Sequence, residues 1–208
     1  TVGEIIAQFL LLLSNSNDRI TNVVFMGMGE PFLNYDNVMK AAELLNDGAG
    51  INIGARHITI STAGVIPGIK KFTEDKLRYK LAVSLNASDQ EQRIKIMPIA
   101  KKYKLDELLE SARQYYTTTR NFITFEYVLM DGINDSIEDA KKIIDLIYDL
   151  PCKLNVIPYN EIDGIYKRPS NKVIDNFLQN FNNIPFTVTT RWSKGSDINA
   201  GCGQLAVK

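Results

Sequence analysis

Five short clusters of glycine, serine, asparagine and acidic residues are the parts of this sequence best suited to bind a ligand. They occupy residues 27–31, 61–64, 84–87, 131–135 and 158–160. Gly27 and Gly29 have no side chains, so a ligand could approach their backbone donors and acceptors closely. The carboxylate of Glu30 suits a ligand ammonium or ribose hydroxyls. Neutral groups suited to a carboxylate, a ribose or a purine edge come from Ser61, Ser84, Asn86 and Asn160.

Each cluster also has a simpler structural interpretation. Glu30 could be a solvated loop acid or a helix-capping residue before Pro31. Serine and asparagine favour turns and helix N-caps in any fold. Taken one at a time, these structural roles are favoured. Five such clusters, each following a successive predicted strand, instead favour a shared polar site.

The two cysteines and the single histidine limit the chemistry that the chain can perform. Two thiols cannot form a disulfide scaffold, nor a metal or iron–sulfur site that needs three thiolates from this chain alone. Cys152 follows Pro151 at the start of a predicted strand and is expected to be a buried apolar residue. Cys202 lies beside glycines in a polar tail, where a reactive thiol and an inert free thiol are equally open interpretations. His57 begins a strand at the end remote from the clusters, so a surface role is expected.

The charge balance excludes a uniformly basic nucleic-acid-binding protein. The 208 residues include 24 Lys and Arg and 24 Asp and Glu, for a formal net charge of zero. A local basic patch is compatible with this balance, and its candidates are Lys167, Arg168, Arg191 and Lys194. The longest apolar stretch, residues 5–13, is too short for a membrane span, and the start lacks the features of a signal peptide. We therefore expect a cytoplasmic protein with no membrane partner.

Hydrophobic periodicity predicts an α/β protein in which strands alternate with helices. Strands are predicted at residues 21–28, 57–61, 81–85, 122–130, 153–158 and 186–191. Helices are predicted after a capping box formed by Thr1 and Glu4, and at residues 35–46, 66–74, 90–97, 105–117, 136–150 and 171–182. Strand–helix–strand units with right-handed crossovers give a parallel sheet, whose ligands bind at the carboxyl ends of the strands. All five clusters follow such ends.

Residues 1–208 are predicted to form one domain, part of a (β/α) barrel, with residues 195–208 as a polar tail that carries Cys202. The length suits one well-buried domain. The architecture starts with a helix and without an initiator methionine, which suggests that the first strand of the barrel is absent from this sequence. Removal of a methionine ahead of Thr1 is the alternative explanation.

Seven short motifs follow one another along the chain. They are Gly27-Met28-Gly29-Glu30-Pro31, Ser61-Thr62-Ala63-Gly64, Ser84-Leu85-Asn86-Ala87, Met97-Pro98-Ile99, Ile157-Pro158-Tyr159-Asn160, Arg168-Pro169-Ser170-Asn171 and Cys202-Gly203-Gln204-Leu205. This ordered set resembles the radical S-adenosylmethionine RNA methyltransferases of the RlmN and Cfr family, and most closely the RlmN type. The resemblance extends over nearly the whole chain. It implies a partial (β/α)6 barrel, with residues 186–191 as an extension beyond its core.

The resemblance assigns S-adenosylmethionine contacts to residues within the strand-end clusters. Gly29 and Glu30 are expected to bind the methionine amino group. The residues expected to contact the carboxylate and adenosine parts are Ser61, Ser84, Leu85, Asn86 and Asn160. The chain departs from the family at Asn86, where many members have His, but Asn keeps a donor and an acceptor, so cofactor binding is expected to survive. Gly201, where many members have Ala, is a smaller change.

Cys202 matches the methyl-carrying cysteine of the family. The implied activity is methylation of carbon 2 of adenine in 23S ribosomal RNA and in tRNA. It would use two molecules of S-adenosylmethionine, a [4Fe-4S] cluster and an external electron donor. The Cfr type modifies carbon 8 of the same nucleotide, which is the alternative reaction that the resemblance leaves open. A monomer is expected.

Several family features are absent from the 208 residues. The family carries three cluster ligands in a C-x3-C-x2-C motif, a resolving cysteine before it and a small N-terminal RNA-binding domain. We therefore expect a fragment that has no metal ligands of its own, binds S-adenosylmethionine weakly and is inactive. Two other hypotheses stay open: a different barrel enzyme acting on a phosphorylated small molecule, and a non-catalytic adenosine- or RNA-binding module.

Overall fold

The strands follow one another across a single sheet in the order of the chain. The computed structural model describes residues 1–161 and 165–192, and within them the sheet has six parallel strands. They are β1 (Val23–Phe25), β2 (Ile58–Thr62), β3 (Lys80–Ser84), β4 (Ile123–Leu129), β5 (Cys152–Pro158) and β6 (Thr187–Thr190). Parallel neighbours require crossover connections, which the helices between them provide. The predicted α/β fold with a parallel sheet is confirmed.

The structure describes seven α-helices, and four of them begin after a residue whose side chain caps the first turn. The seven are α1 (Val2–Ser14), α2 (Tyr35–Asn46), α3 (Ile66–Glu74), α4 (Gln90–Ile96), α5 (Leu105–Thr119), α6 (Ile137–Ile147) and α7 (Asn171–Leu178). Thr1 and Glu4 form the predicted capping box of α1, and Ser136 and Asp139 form another at α6. Short 3-10 helices occupy Pro31–Asn34, Ala55–His57, Pro98–Lys101 and Gln179–Phe181.

Several predicted elements are shorter in the structure, the first strand most of all. The strand predicted at residues 21–28 is reduced to β1, which pairs only with β2 among the described residues. The chain leaves the ladder at Met26, just before the two glycines of its first cluster. The helix predicted at residues 171–182 ends as an α-helix at Leu178 and continues as the 3-10 turn Gln179–Phe181.

The two faces of the sheet differ in chemistry because successive strand residues point to opposite sides. One face packs against the helices through fully buried side chains such as Leu81, Phe125 and Tyr127. The Tyr127 ring stacks 5.7 Å from that of Phe177 on α7. The strand residues that alternate with these core positions, and so point to the opposite face, are largely polar. One row of them, connected by strand register, contains Ser84, Glu126, Asn155 and Thr189.

Helix α1 leaves much of its apolar surface uncovered within the described residues. Four consecutive leucines, Leu10, Leu11, Leu12 and Leu13, have between 41% and 66% of their surface exposed. No helix in residues 1–161 or 165–192 combines the length and apolar character that crossing a bilayer requires.

Gly68 on α3 packs tightly against Phe32 in the segment after β1. A Cβ at this position would lie 2.5 Å from Cγ of Phe32, far inside van der Waals contact. We expect Gly68→Ala to lower the free energy of unfolding by roughly 1–3 kcal/mol through overpacking. The matched control is Gly3→Ala in α1, where a Cβ would meet no atom within 4 Å.

Gly3→Ala should raise stability by about 0.5–1 kcal/mol because alanine is the better helix former. Urea unfolding followed by circular dichroism measures both changes. Equal effects of the two substitutions would contradict the close packing of α3 on Phe32.

Candidate functional site

Glu30 connects the carboxyl ends of β1 and β2. Its Oε2 atom accepts a hydrogen bond from the backbone N–H of Ala63 at 2.7 Å, and Oε1 accepts one from Phe32 N at 3.1 Å. The second bond caps the 3-10 helix that starts at Pro31, so the simpler structural interpretation of Glu30 is also correct. A carboxylate has about four lone-pair sites. Glu30 therefore keeps acceptor capacity for a ligand while its position is fixed by the backbone.

A cleft of about 540 Å³ opens beside this carboxylate. Gly27, Met28 and Gly29 line it together with Glu30. A Cβ on either glycine would meet no atom within 4 Å, so the backbone there is open to an approaching group. Gly29 also has a φ of 87°, a left-handed conformation that favours glycine. The predicted close approach to this backbone is therefore sterically available.

The segment after β2 turns tightly into α3. The Thr62 hydroxyl accepts hydrogen bonds from Gly64 N at 3.0 Å and Val65 N at 3.1 Å. Gly64 has a φ of 107°, again in the left-handed region. Thr62 is thus committed to the turn, whereas Ser61 lies on the polar face of the sheet and is buried beside it.

Arg93 on α4 ties the carboxyl ends of β2 and β3 together. Its Nη2 atom donates to Ala63 O at 2.7 Å and to Ser84 O at 3.1 Å, and its Nε donates to Leu85 O at 3.2 Å. The guanidinium is completely buried, and burial lowers its pKa to about 10. It remains a cation at neutral pH. No carboxylate pairs with it among the described residues, and Nη1 has no hydrogen-bond partner there.

Asn86 begins the turn after β3, and most of its side-chain hydrogen-bonding groups have partners within the protein. It has a left-handed φ of 55°. Its Oδ1 accepts from Val128 N at 2.9 Å, and its Nδ2 contacts the Met97 sulfur at 3.5 Å. Buried Asn134 braces the same turn by donating to Asn86 O at 2.9 Å and to Val128 O at 2.8 Å. One amide hydrogen of Asn86 is thereby left for a ligand.

Glu126 lies beside Ser84 in the strand register and was not anticipated from the sequence. Its carboxyl is buried, Oε1 accepts from Asn155 Nδ2 at 3.0 Å, and Oε2 has no partner among the described residues. Burial raises the pKa of this carboxyl, opposed by the Asn155 hydrogen bond and by the charge of Arg191. The available signal was a lone acid within the otherwise apolar or neutral strand β4.

The structure brings most of the predicted contact residues to one edge of the sheet. Those at the adjacent ends of β1, β2 and β3 are Gly29, Glu30, Ser61, Ser84, Leu85 and Asn86. Asn160 follows β5, two strands further along, where Tyr159 N donates to Leu129 O at 3.0 Å. Cys202 and the tail at residues 195–208 lie outside the described residues. Leu85 is fully buried, so its predicted contact would be made by backbone atoms.

The remaining reactive side chains lie at the other end of the strands. His57 ends a 3-10 helix ahead of β2, and its Nδ1 is 2.9 Å from Asn22 Oδ1, as expected for a surface role. Cys152 starts β5 and is buried, as predicted. Burial raises the pKa of its thiol to about 12, with the Asp149 charge adding to the effect.

The donor set fits S-adenosylmethionine but not an iron–sulfur cluster. Open glycine backbone, a fixed carboxylate and neighbouring serines match an amino acid joined to a nucleoside. Within residues 1–161 and 165–192, no group of three or more His, Cys, Asp or Glu is placed to hold a metal ion. The chain's two cysteines are also too few for three thiolate ligands.

Comparison with known proteins decides the family. The chain matches the Radical SAM superfamily over residues 4–147. It belongs to the radical SAM superfamily. A radical SAM methyltransferase from Sphaerobacter thermophilus superposes with a TM-score of 0.93 and 39% identity, over 98% of this chain and 61% of that one. A domain of a pyruvate-formate lyase-activating enzyme from Bacteroides vulgatus shares only the fold, at 16% identity and a TM-score of 0.61.

Curated relatives of this radical SAM chain carry the RlmN name. The chain is 48% identical over 206 residues to a probable dual-specificity RNA methyltransferase RlmN of Clostridium novyi (strain NT), covering 99% of this chain and 60% of that protein. A protein of the same name from Alkaliphilus oremlandii (strain OhILAs) is 44% identical over 207 residues, with the same coverage. The resemblance drawn from the seven motifs is confirmed. The chain spans about three fifths of the length of these relatives.

Arg93→Met tests whether the Arg93 hydrogen bonds hold the ends of β2 and β3 together in this radical SAM chain. The substitution leaves three buried carbonyl oxygens without their donor, and we expect it to lower the free energy of unfolding by about 2 kcal/mol. Arg113→Met is the control, because Arg113 pairs with Asp149 near the surface and such a pair contributes less than about 1 kcal/mol. Urea unfolding measures both. A smaller loss at Arg93 than at Arg113 would contradict the structural role.

Glu126→Gln tests the buried carboxyl through the pH dependence of stability. Because burial raises the pKa of Glu126 in the folded state, the protonated carboxyl stabilises the fold. This stabilisation is complete below the ordinary glutamate pKa and is lost as pH rises through the folded-state pKa. Glutamine keeps the acceptor for Asn155 but does not titrate. We expect the unfolding free energy of the native chain, relative to the variant, to fall as pH rises above the ordinary glutamate pKa and through the raised folded-state pKa.

Unfolding curves at several pH values give this difference. Glu107→Gln, which removes an exposed carboxylate on α5, is the control. A pH dependence of Glu126→Gln that matches the control would show that the carboxyl is not held in its protonated form.

Proposed function

We propose that this chain is the S-adenosylmethionine-binding part of an RNA methyltransferase that modifies carbon 2 of adenine in 23S ribosomal RNA and in tRNA. The observation that carries the proposal is the edge formed by β1, β2 and β3, where Glu30 and Arg93 fix three strand ends around an open glycine backbone. The names of the relatives from Clostridium novyi and Alkaliphilus oremlandii support RNA as the substrate.

Each predicted contact residue has a chemical role in this proposal. Glu30, with Gly29 beside it, binds the methionine ammonium. Ser61 binds the carboxylate, which lies within the field of the buried Arg93 cation. The adenosine part contacts Ser84, the backbone of Leu85, the remaining amide hydrogen of Asn86, and Asn160. When bound, one molecule of S-adenosylmethionine would supply the methyl group, and a second, reductively cleaved with an electron from the external donor, would supply a deoxyadenosyl radical.

Cys202 carries the methyl group in this proposal. Carbon 2 of adenine is not nucleophilic, so direct polar transfer from a sulfonium is unfavourable. The Cys202 thiolate would instead displace the methyl group from one S-adenosylmethionine and release S-adenosylhomocysteine. A deoxyadenosyl radical would then abstract a hydrogen atom from this S-methyl group, the resulting carbon radical would add to carbon 2, and a second cysteine would resolve the adduct. Cys152 is unsuitable for the same task, because its buried thiol has a pKa of about 12. The cluster ligands cannot come from this chain's two cysteines, so the chain alone is expected to be inactive. The cofactors supply the redox and radical chemistry, and the protein binds and orients them.

The proposed partners are those that the family resemblance implies. They are 23S ribosomal RNA, tRNA and an electron donor, and the protein is proposed to act as a cytoplasmic monomer. Zero net charge means that RNA attraction depends on local groups.

Cys202→Ala in the complete gene product tests the function. We expect loss of adenine methylation with S-adenosylmethionine binding retained, because the cysteine carries the methyl group and does not bind the cofactor. Peptide mass spectrometry of protein isolated from cells should find a methyl-sized increment on Cys202 and none on Cys152. The control is Cys152→Ala, which should keep methylation.

Nucleoside analysis of the product RNA identifies the modified carbon. Methylation at carbon 8 would refute the position proposed, and a Cys202→Ala variant that still methylates adenine would refute the role of this thiol.

A further inference from the structure

A tryptophan and three cations follow β5 and β6 at the carboxyl edge of the sheet. Trp192 follows β6 with 50% of its surface exposed, and the guanidinium carbon of Arg168 lies 5.4 Å from the centre of its ring. Lys167 and Arg191 are exposed neighbours of these two residues in the sequence. We call Lys167, Arg168, Arg191 and Trp192 the Trp192 surface.

Backbone hydrogen bonds fix both parts of the Trp192 surface to the sheet. Arg191 N donates to Val156 O at 2.9 Å, which continues the pairing of β6 with β5 beyond Thr190. Asp131 N donates to Lys167 O at 2.9 Å, which attaches the segment before α7 to the end of β4. The surface therefore lies at the carboxyl edge of the sheet, the edge that carries the candidate site.

The chemistry of this surface suits an unpaired RNA base. An arginine over an aromatic ring makes a cation–π contact that holds the ring in place. Proteins bind single-stranded nucleic acids by stacking bases on such rings while nearby cations contact the phosphates. The carboxylate of Glu161 accepts from Arg168 N at 3.4 Å, so the surface is not purely cationic. Charge alone would therefore attract a polyanion weakly, and stacking has to contribute.

We propose that Trp192 is a stacking platform for an unpaired base of the RNA substrate. Arg168 holds the indole ring, and Lys167 and Arg191 contact the phosphates that flank the stacked base. This inference rests on the proposed RNA methyltransferase function and adds a specific RNA contact at the edge of the sheet that carries the candidate site.

The chain contains a single tryptophan, so its intrinsic fluorescence reports this surface alone. A single-stranded oligoadenylate RNA of about 12 nucleotides, titrated into the 208-residue chain, should quench the tryptophan emission by stacking. A duplex RNA of the same length should quench it less, because its bases are already paired and stacked. Inorganic polyphosphate, which has charge but no bases, should leave the emission unchanged.

Variants distinguish the contribution of base stacking to RNA affinity from the contribution of charge. Loss of base stacking in Trp192→Ala should weaken binding of the oligoadenylate by roughly 5- to 100-fold, measured by fluorescence anisotropy of labelled RNA, whereas Trp192→Phe should retain most of the affinity. Lys167→Gln should reduce the salt dependence of binding, by about 0.7 in the slope of log K against log salt. Tyr148→Ala is the matched control, since it removes another exposed aromatic ring at the amino end of β5.

Two results would overturn the proposal. One is quenching by polyphosphate equal to that by oligoadenylate, and the other is unchanged RNA affinity in Trp192→Ala. A separate methylation assay on the complete gene product keeps the two claims distinct. RNA methylation without any change in Trp192 emission would refute only the stacking platform, whereas stacking without methylation would refute only the proposed function.

Discussion

The site depends on how the carboxyl ends of parallel strands satisfy their last backbone groups. At this edge the ladder stops, and N–H and C=O groups that are buried must find other partners. Glu30 accepts the N–H of Ala63, while Arg93 donates to the carbonyl oxygens of Ala63, Ser84 and Leu85. Two charged side chains on opposite sides of β2 thus hold three strand ends in one arrangement. A ligand meets a preformed edge rather than loops that it must order.

This arrangement also determines the electrostatics of the edge. Glu30 and Arg93 do not form an ion pair with each other among the described residues, and each bonds backbone groups instead. An anion near the open glycines and a buried cation behind β3 are complementary to the ammonium and carboxylate of an amino acid. Further along the sheet, buried Glu126 has one carboxyl oxygen without a partner among the described residues. Buried polar groups of this kind are costly unless a ligand, a proton or water satisfies them.

Local patterns in the sequence predicted the helices, the strands and the polar carboxyl edge of the sheet. They did not predict the hydrogen bonds that hold neighbouring strand ends together. Thr1 with Glu4, and Ser136 with Asp139, signalled helix starts because capping is a contact within one turn. Strand alternation likewise placed Ser61 and Ser84 at strand ends. Arg93 escaped prediction because its partners lie 8 to 30 residues away and are carbonyl oxygens, which carry no side-chain signature. Strand β1 was predicted too long, since its apolar residues resemble a fully paired strand.

The central claim is that S-adenosylmethionine binds at the edge formed by β1, β2 and β3. Two-dimensional NMR of the isotope-labelled chain tests it most directly, because amide shifts locate even weak binding. Adding S-adenosylmethionine should shift the amides of residues 27–30, 61–64 and 84–86, and leave those near Asn22 and His57, at the opposite ends of the strands, unchanged. Shifts confined to those opposite ends, or none at millimolar ligand, would contradict the account.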